Sequence, residues 1–558
     1  MKYSTTRNLI NNAGFFILSG IIMLSPVIGN IFNQWDGVFP VFLISTVCAT
    51  ILLTQVWLRS TNHTPVKITT TDIGFTLYLT YGVLRLNIFK ETFDPITLCE
   101  WSGLTAIYIS TRWGKPKFVT WLLYALLVGG IIQALIGLCQ FAGILESNNT
   151  TFKITGSFMN PEPYGGFLAL STIVCLSTWK KETYTWTGFH LLLPCILLLL
   201  TTTLILSDSR AAWLAVFVSS CFLFIKRNTP YHHWHMKLVV GLLATLLVVA
   251  LYYYKKPSAD VRLLTWNSSS LMFLDKPILG HGIGSFPANY MLYQAQFLNE
   301  HPGEEWEIIA DNNITAFNEF IHLACEQGII GLLLFLGLFI SAFSDTQSTK
   351  HGQTAQVCLV ALITFAFFSY PASIYPIKLC FPLLLGILGQ KSKVVTRFNP
   401  SPKAYILPTL IISTSIYFNM RVYLIYQKAY TTLEKHAYNE IKLLRHERIN
   451  ETLGVKKQLY TLAPTSSLSC DIGMIHLYKH ERDSAEYYFK QAKEMTPNHV
   501  LPFYGLWLIA KDKNEKEQCI QLSKTILALP ARVINNTVLK ARKEVQEYLK
   551  TTNHETNN

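Results

Sequence analysis

The chain has 558 residues, half of them hydrophobic and only 15% charged, with a mean hydropathy of +0.28. Soluble domains carry about 25% charged residues, so this composition excludes a soluble globular protein and leaves a multi-pass helical membrane protein. The net charge of +13 invites a nucleic-acid reading, which the placement of the cations argues against.

Residues 1–254 supply about nine apolar windows, each near the 17–25 residues that cross a hydrocarbon core. Phe15–Phe32, Val38–Leu58 and Lys237–Tyr254 are examples. The first window lacks a small-residue cleavage site and reads as a first span rather than a signal peptide. Residues 255–317 follow as a long polar loop. Residues 318–420 hold about four further spans, the last at Ala404–Met420, for a total of about 12–13. The windows at Ile96–Ser110 and Ile377–Gly389 are the shortest. The expected fold is therefore all-α, a polytopic bundle with one large loop and a polar, helix-prone tail at 421–558.

With the N-terminus inside, the loops on that side hold Arg7, Arg59, Lys67, Arg112, Lys115, Lys117, Lys226 and Arg397. The outside turns Asn33–Gly37 and Glu146–Gly156 are nearly free of cations. This is the positive-inside pattern. It puts loop 255–317 and the tail outside a bacterial inner membrane, with the lipid bilayer and no nucleic acid as the chain's surroundings.

The tail carries a repeat. Pro464, Pro497 and Pro530 recur every 33 residues. Gly473, Ala485, Phe489, Ala492 and Pro497 fit the frame of the roughly 34-residue tetratricopeptide unit, in which small residues let two helices approach. A short solenoid of about three hairpins is expected, docked on the bundle or offering a surface to a protein partner. The eleven cysteines form no CxxC pair and read as packing residues. Cys470 and Cys519 could pair only if the fold joins them.

Ionisable residues at membrane depth are costly, so each is a site candidate. Arg85, Arg210 and Arg262 all fall near the outer interface. Their planar forks suit a phosphate or pyrophosphate; the alternative is an interfacial anchor or a carboxylate's partner. Ser207 and Asp208 are candidate caps ahead of Arg210. Lys255, Lys256 and Lys276 could assist or stand solvated. Asn160 and Pro161 sit where a span begins, at a place suited to an anion or to a simple helix cap. Pro277–Tyr290 carries Gly280, Gly282 and Gly284. No strand–helix unit surrounds these glycines, so they mark a close-packed turn rather than a dinucleotide site. Gly282 and Tyr290 are candidate substrate contacts. Asn318, His322 and Glu326 are spaced by four on the next helix, and Glu319 lies one turn before His322. Glu319 is the candidate general base; a structural hydrogen-bond cluster is the alternative.

The ordered segments GSFMNPEPYGGFLAL, LSDSRAAWLA, RLLTW…DKPILGHGIGSFPANY and NEFIHLACEQGIIGLLLFL resemble the O-antigen ligase family of integral membrane glycosyltransferases. That group includes O-antigen polymerases and protein O-oligosaccharyltransferases. The resemblance covers roughly residues 100–390 and is strongest over 255–340. It implies transfer of a glycan from an undecaprenyl-pyrophosphate carrier, at the periplasmic face, to a hydroxyl of lipid A-core or of a protein. It implies no nucleotide sugar, metal or other cofactor. By position Arg210 and Arg262, and more weakly Arg85, match arginines that grip the diphosphate. One departure stands out: many members carry His just before the Asn of the last motif, as a proposed base, and this chain has Phe317. Glu319, His301 or His322 is then left to take the proton, or the acceptor is activated differently. The rival classes are a transporter or lipid flippase, and an envelope scaffold whose working part is the tail.

Overall fold

The computed structural model describes residues 2–31, 38–62, 65–86, 94–178, 189–228, 234–303, 305–343, 349–443, 449–529 and 536–556. The chain opens with α1 (Lys2–Ile31) and α2 (Val38–Asn62), then a short strand β1 (Val66–Thr69). The first half continues with α3 (Thr70–Arg85), α4 (Pro95–Arg112), α5 (Pro116–Phe141), α6 (Pro161–Thr178), α7 (Phe189–Leu206), α8 (Arg210–Asn228) and α9 (Trp234–Tyr254). The loop is itself helical, with α10 (Lys256–Asp275), α11 (Phe286–Glu300) and the single turn α12 (Trp306–Ile309). The second half is α13 (Glu319–Phe343), α14 (Lys350–Phe368), the turn α15 (Tyr375–Lys378), α16 (Cys380–Gly389), strand β2 (Val394–Phe398) and α17 (Ile406–Leu443). The tail holds α18 (Ile449–Leu462), α19 (Ser466–Tyr478), α20 (Arg482–Met495), α21 (Val500–Asp512), α22 (Lys516–Ala528) and α23 (Asn536–Thr556).

The protein is an all-α, multi-pass membrane protein. Among the described residues five helices are long and apolar enough to cross a bilayer: Thr6–Ile28, Phe39–Thr61, Pro116–Phe141, Glu319–Phe343 and His351–Phe368. A sixth candidate is broken, α9 meeting α10 at 106°. This is fewer than the 12–13 apolar windows of the sequence, and the difference has a physical cause. α6 faces protein on almost every side, with Ser171, Thr172 and Ser177 buried beside Phe167 and Ile173. A helix enclosed by other helices need not be long or uniformly apolar, because it never meets lipid.

One end of the bundle is fixed by a two-stranded antiparallel ribbon in which Lys67 faces Arg397. Thr69 and Asp72 form a capping box at the start of α3. The same Asp72 carboxylate takes the Tyr108 hydroxyl at 2.6 Å and pairs with Arg112 at 3.1 Å. α3 and α13 run antiparallel, since Thr71 Oγ1 reaches Ser341 O. Glu319 therefore lies at the far end of the bundle from the ribbon, and loop 255–317 lies with it.

α17 runs unbroken across residue 420, where the sequence suggests a change from span to tail. Beyond it the tail stacks helical hairpins. Phe489 is fully buried between α19 and α21. A methyl group at Gly473 would meet its ring at 2.9 Å, and one at Gly505 would overlap it. Cys470 and Cys519 are both buried, unpaired and in separate clusters. The tail is joined to the loop. Met495 enters a cluster with Met272, Phe286, Tyr290 and Cys325. Gln294 Nε2 donates to Met495 O at 2.8 Å, the Ser466 N–H to Asn312 Oδ1 at 2.9 Å, and Asn498 Nδ2 to Ile308 O at 2.8 Å.

Candidate active site

The site is built around a break in α13. Gly328 has φ 67° and ψ −170°, so the helical hydrogen-bond ladder stops there. Five of the backbone groups around the break find partners outside the helix. The glycine turn 277–284 runs alongside, and the N–H groups of His281 and Gly282 donate to Cys325 O and Glu326 O at 2.9 and 2.8 Å. Ile329 and Ile330 donate back to Pro277 O and Ile278 O. The Tyr81 hydroxyl donates to Gln327 O at 2.7 Å. Irregular backbone in a membrane protein persists only where such bonds satisfy it. The turn and the break explain each other: a Cβ on Gly280 would overlap the Glu326 backbone, and a Cβ on Gly328 the Ile278 carbonyl.

Next to this break lies a cavity of about 450 Å³ between α3, α4, α13 and the turn around Pro371. Its floor is apolar, formed by residues such as Phe75, Leu104 and Phe381. Its upper wall carries Glu319, His322, Glu326, Glu100 and Lys378. Lys378 and Glu100 form an ion pair at 2.5 Å. Glu326 Oε1 accepts the Phe286 N–H at 3.0 Å and stands 3.4 Å from His322 Nε2. The His322 ring is stacked on Phe286 at 4.6 Å. Glu319 Oε1 accepts the Ala372 N–H at 2.9 Å. Glu319 thus keeps a second oxygen for a proton while its position is fixed by backbone.

A smaller cavity of about 220 Å³ is lined by Arg210, Arg262, Tyr252, Trp266 and Phe368. Arg262 on α10 pairs with Glu162 at 2.9 Å, both side chains being about 15% exposed. Its Nε is buried and makes no hydrogen bond. Arg210 is bound by neutral groups: Leu251 O at 2.9 Å, Lys255 O at 3.1 Å and Ser258 Oγ at 3.0 Å. It closes the end of α9 and fixes the bend into α10. Asp208 pairs with Lys255 and Glu162 with Arg262, while the Arg210 guanidinium has no carboxylate bonded to it among the described residues. That excess of positive charge favours an anion.

Residues 317–319 run between a side chain of the smaller cavity, Arg262, and one of the larger, Glu319. The Phe317 ring lies against the Arg262 guanidinium at 5.8 Å and against Tyr370 at 5.7 Å. Two residues later Glu319 faces the larger cavity. Phe317 has φ 51°, an unfavourable backbone for a bulky side chain. Such strain is characteristic of functional positions.

The structure separates the other sequence candidates. Arg85 donates to Gly280 O at 2.9 Å and so holds the glycine turn. It lines neither cavity. Asn160 caps α6 through the Glu162 N–H, and Asn318 caps α13 through the N–H groups of Phe320 and Ile321. Gly282 belongs to the backbone pairing already described. Tyr290 is fully buried and bonded to Gln294 Oε1 at 2.7 Å. Its place is the loop core, out of reach of a substrate in either cavity. His301 caps α11 through Phe297 O, away from both cavities. Lys256 pairs with Asp260, and Lys276 is exposed. Sequence reasoning missed Glu162, Tyr370, Glu100 and Lys378. The signal for Glu162 was its place in the NPEPY motif; the others had none, since their role depends on packing.

Residues 195–336, which include Arg210, Arg262, Glu319, His322 and Glu326, match the O-antigen ligase family model. The resemblance carried by the sequence motifs is matched over that segment. Two curated relatives bear the name "Putative polysaccharide ligase". The one from Rickettsia conorii is 24% identical over 216 residues, covering 36% of this chain and 49% of the relative. The one from Rickettsia felis is 24% identical over 216 residues, covering 36% and 50%. The chain spans about half the length of the curated relatives it matches.

Proposed function

Because the segment that matches O-antigen ligases also supplies both arginines of the smaller cavity and Glu319, His322 and Glu326 of the larger, we propose that this protein is a membrane glycosyltransferase. It moves a glycan from an undecaprenyl-pyrophosphate carrier to an acceptor hydroxyl at the periplasmic face. The observation that carries this reading is the small cavity, which Arg210 and Arg262 line together with only Arg262 paired to a carboxylate, and whose Arg262 lies against Phe317, two residues before Glu319. The diphosphate binds there. The acceptor oxygen attacks the anomeric carbon from the larger cavity and its proton passes to Glu319. The bond from that carbon to the diphosphate oxygen breaks, and the oxygen leaves with the electron pair. Fixed cations oppose the charge of the departing group, and such electrostatic stabilisation usually lowers the barrier more than any other single effect. Holding both substrates across Phe317 supplies the rest by proximity.

The acceptor is a lipid A-core or protein hydroxyl, and ligation is preferred to polymerisation. The strand ribbon supports the orientation. It gathers Lys67 and Arg397 at the end opposite loop 255–317, and the positive-inside rule assigns that end to the cytoplasm. Loop and tail are then periplasmic.

The test is in vitro transfer with purified protein and defined lipid-linked donor. Arg262→Ala, which strands Glu162 and removes the cation, lowers the rate about 100-fold or more. Arg262→Lys restores little, because the fork is lost. Glu319→Gln lowers transfer by a similar factor and leaves donor affinity within about twofold. A normal rate in Glu319→Gln removes this residue as the base. Unchanged surface glycan in cells carrying Arg262→Ala removes the transferase reading and favours a scaffold.

A further inference from the structure

Away from both cavities, the joint between loop and tail encloses a groove of about 450 Å³. One wall is the second half of α11, with Gln296, Asn299 and Glu300. The other is the end of α20, with Gln491 and Glu494. Leu292, Ala295 and Met495 form an apolar floor. The bonds that dock the tail leave these walls largely unspent. Asn299 and Glu494 make no side-chain hydrogen bond among the described residues. Gln491 uses its carbonyl for the Tyr460 hydroxyl at 3.0 Å, which leaves its amide donors. Glu300 uses Oε1 for the Gln296 amide at 2.9 Å, which leaves Oε2.

Amide donors and carboxylate acceptors therefore face each other over an apolar strip. No Lys or Arg lines the groove, so it does not suit an anion. A basic peptide would reach the carboxylates with its cations and the amides with its backbone carbonyls, and it is the competitor in the test below. A sugar uses all of it: each hydroxyl both donates and accepts, and its C–H face needs an apolar contact. The volume is within the roughly 300–1,000 Å³ of ligand sites, which favour joints between folded units. We propose that this groove binds an oligosaccharide of neutral or amino sugars, engaging glycan units remote from the reacting carbon. The identity of the ligand rests on the glycan-transfer reading; the binding itself does not.

The experiment uses the full chain in lipid nanodiscs. The probe is oligosaccharide released by mild acid from the producing cell's own envelope glycan, and a lysine octapeptide is the competitor. Binding is read by calorimetry and saturation-transfer NMR. Asn299→Ala with Glu494→Ala weakens oligosaccharide binding at least tenfold. Hydrogen exchange across α11 and α20 verifies that the joint is intact, and the isosteric Glu494→Gln gives a smaller loss in the same direction. Transfer is assayed on the same samples. Failure of the probe to bind, equal binding by the double variant, or displacement by the peptide overturns the groove. Binding that persists in a protein unable to transfer overturns the transferase reading alone.

Discussion

Gly328 and its neighbours argue at the scale of single residues. The conformation at Gly328 is open to glycine almost alone, and the Ile278 carbonyl occupies the space a side chain would need. Gly328→Ala should cost about 3 kcal/mol or more, from strain and from the loss of the turn's hydrogen bonds. Gly337→Ala, on the same helix with open space around it, should be neutral or slightly stabilising through helix propensity. Thermal unfolding of the two variants in one detergent measures the contrast. The glycines of the turn were legible as a close approach, because nothing else in the sequence required three of them. Their partner was not, since Gly328 sits inside an apolar run that reads as uninterrupted helix. Arg210 shows the same limit. Its position near an interface was visible, but whether its donors face a ligand or backbone carbonyls depends on the bend of α9 into α10, which leaves no mark in the sequence.

At the scale of elements, hydrophobic windows located many of the helices, as at α2 and α9. What the windows did not separate is a helix facing lipid from one facing protein, as α6 illustrates. The ion pairs that tie helices together were also invisible. In the tail, the Tyr504 hydroxyl donates to Glu544 at 2.6 Å and Lys511 reaches the other oxygen at 3.2 Å, joining α21 to α23. The tyrosine hydrogen bond, with Lys511 assisting, holds the Glu544 carboxyl below its usual 4.5. The folded value is depressed, so the pair stabilises the tail fully above about pH 4.5. That contribution fades as pH falls through the folded value, where the unfolded chain takes up the proton first. Hydrogen exchange in α21 and α23, corrected for the intrinsic rate, should therefore hold steady down to about pH 5 and accelerate on further acidification below about pH 4.5. Glu544→Gln should raise exchange at pH 6 and flatten the dependence. A slope unchanged by the substitution would assign it to other carboxylates.

At the scale of the whole molecule, the tail is joined to the loop by the Met495 cluster and three hydrogen bonds. The sequence reading expected the tail to dock on the bundle or to offer a surface to a partner, without naming the residues of the joint, because those contacts join residues about 200 positions apart, as Gln294 to Met495 does. No local pattern encodes such a pairing. Met495 is the anchor, 1% exposed and inserted among Met272, Phe286 and Cys325. Met495→Ala should remove about 2–5 kcal/mol of packing, as for other buried methionines. The loss should fall on the joint rather than on the hairpin, because Phe489 and the α19–α20 contacts do not depend on Met495. Limited proteolysis should then cut faster near residues 496–499, and exchange should rise in α11. The membrane helices should keep their protection. Phe286 also packs under His322, so a loosened joint should reach the larger cavity and lower transfer several-fold without altering the arginine cavity. A variant with a freed tail and full activity would show that the dock serves the tail alone. Reduced activity with unchanged donor affinity would tie the dock to the acceptor side of the reaction.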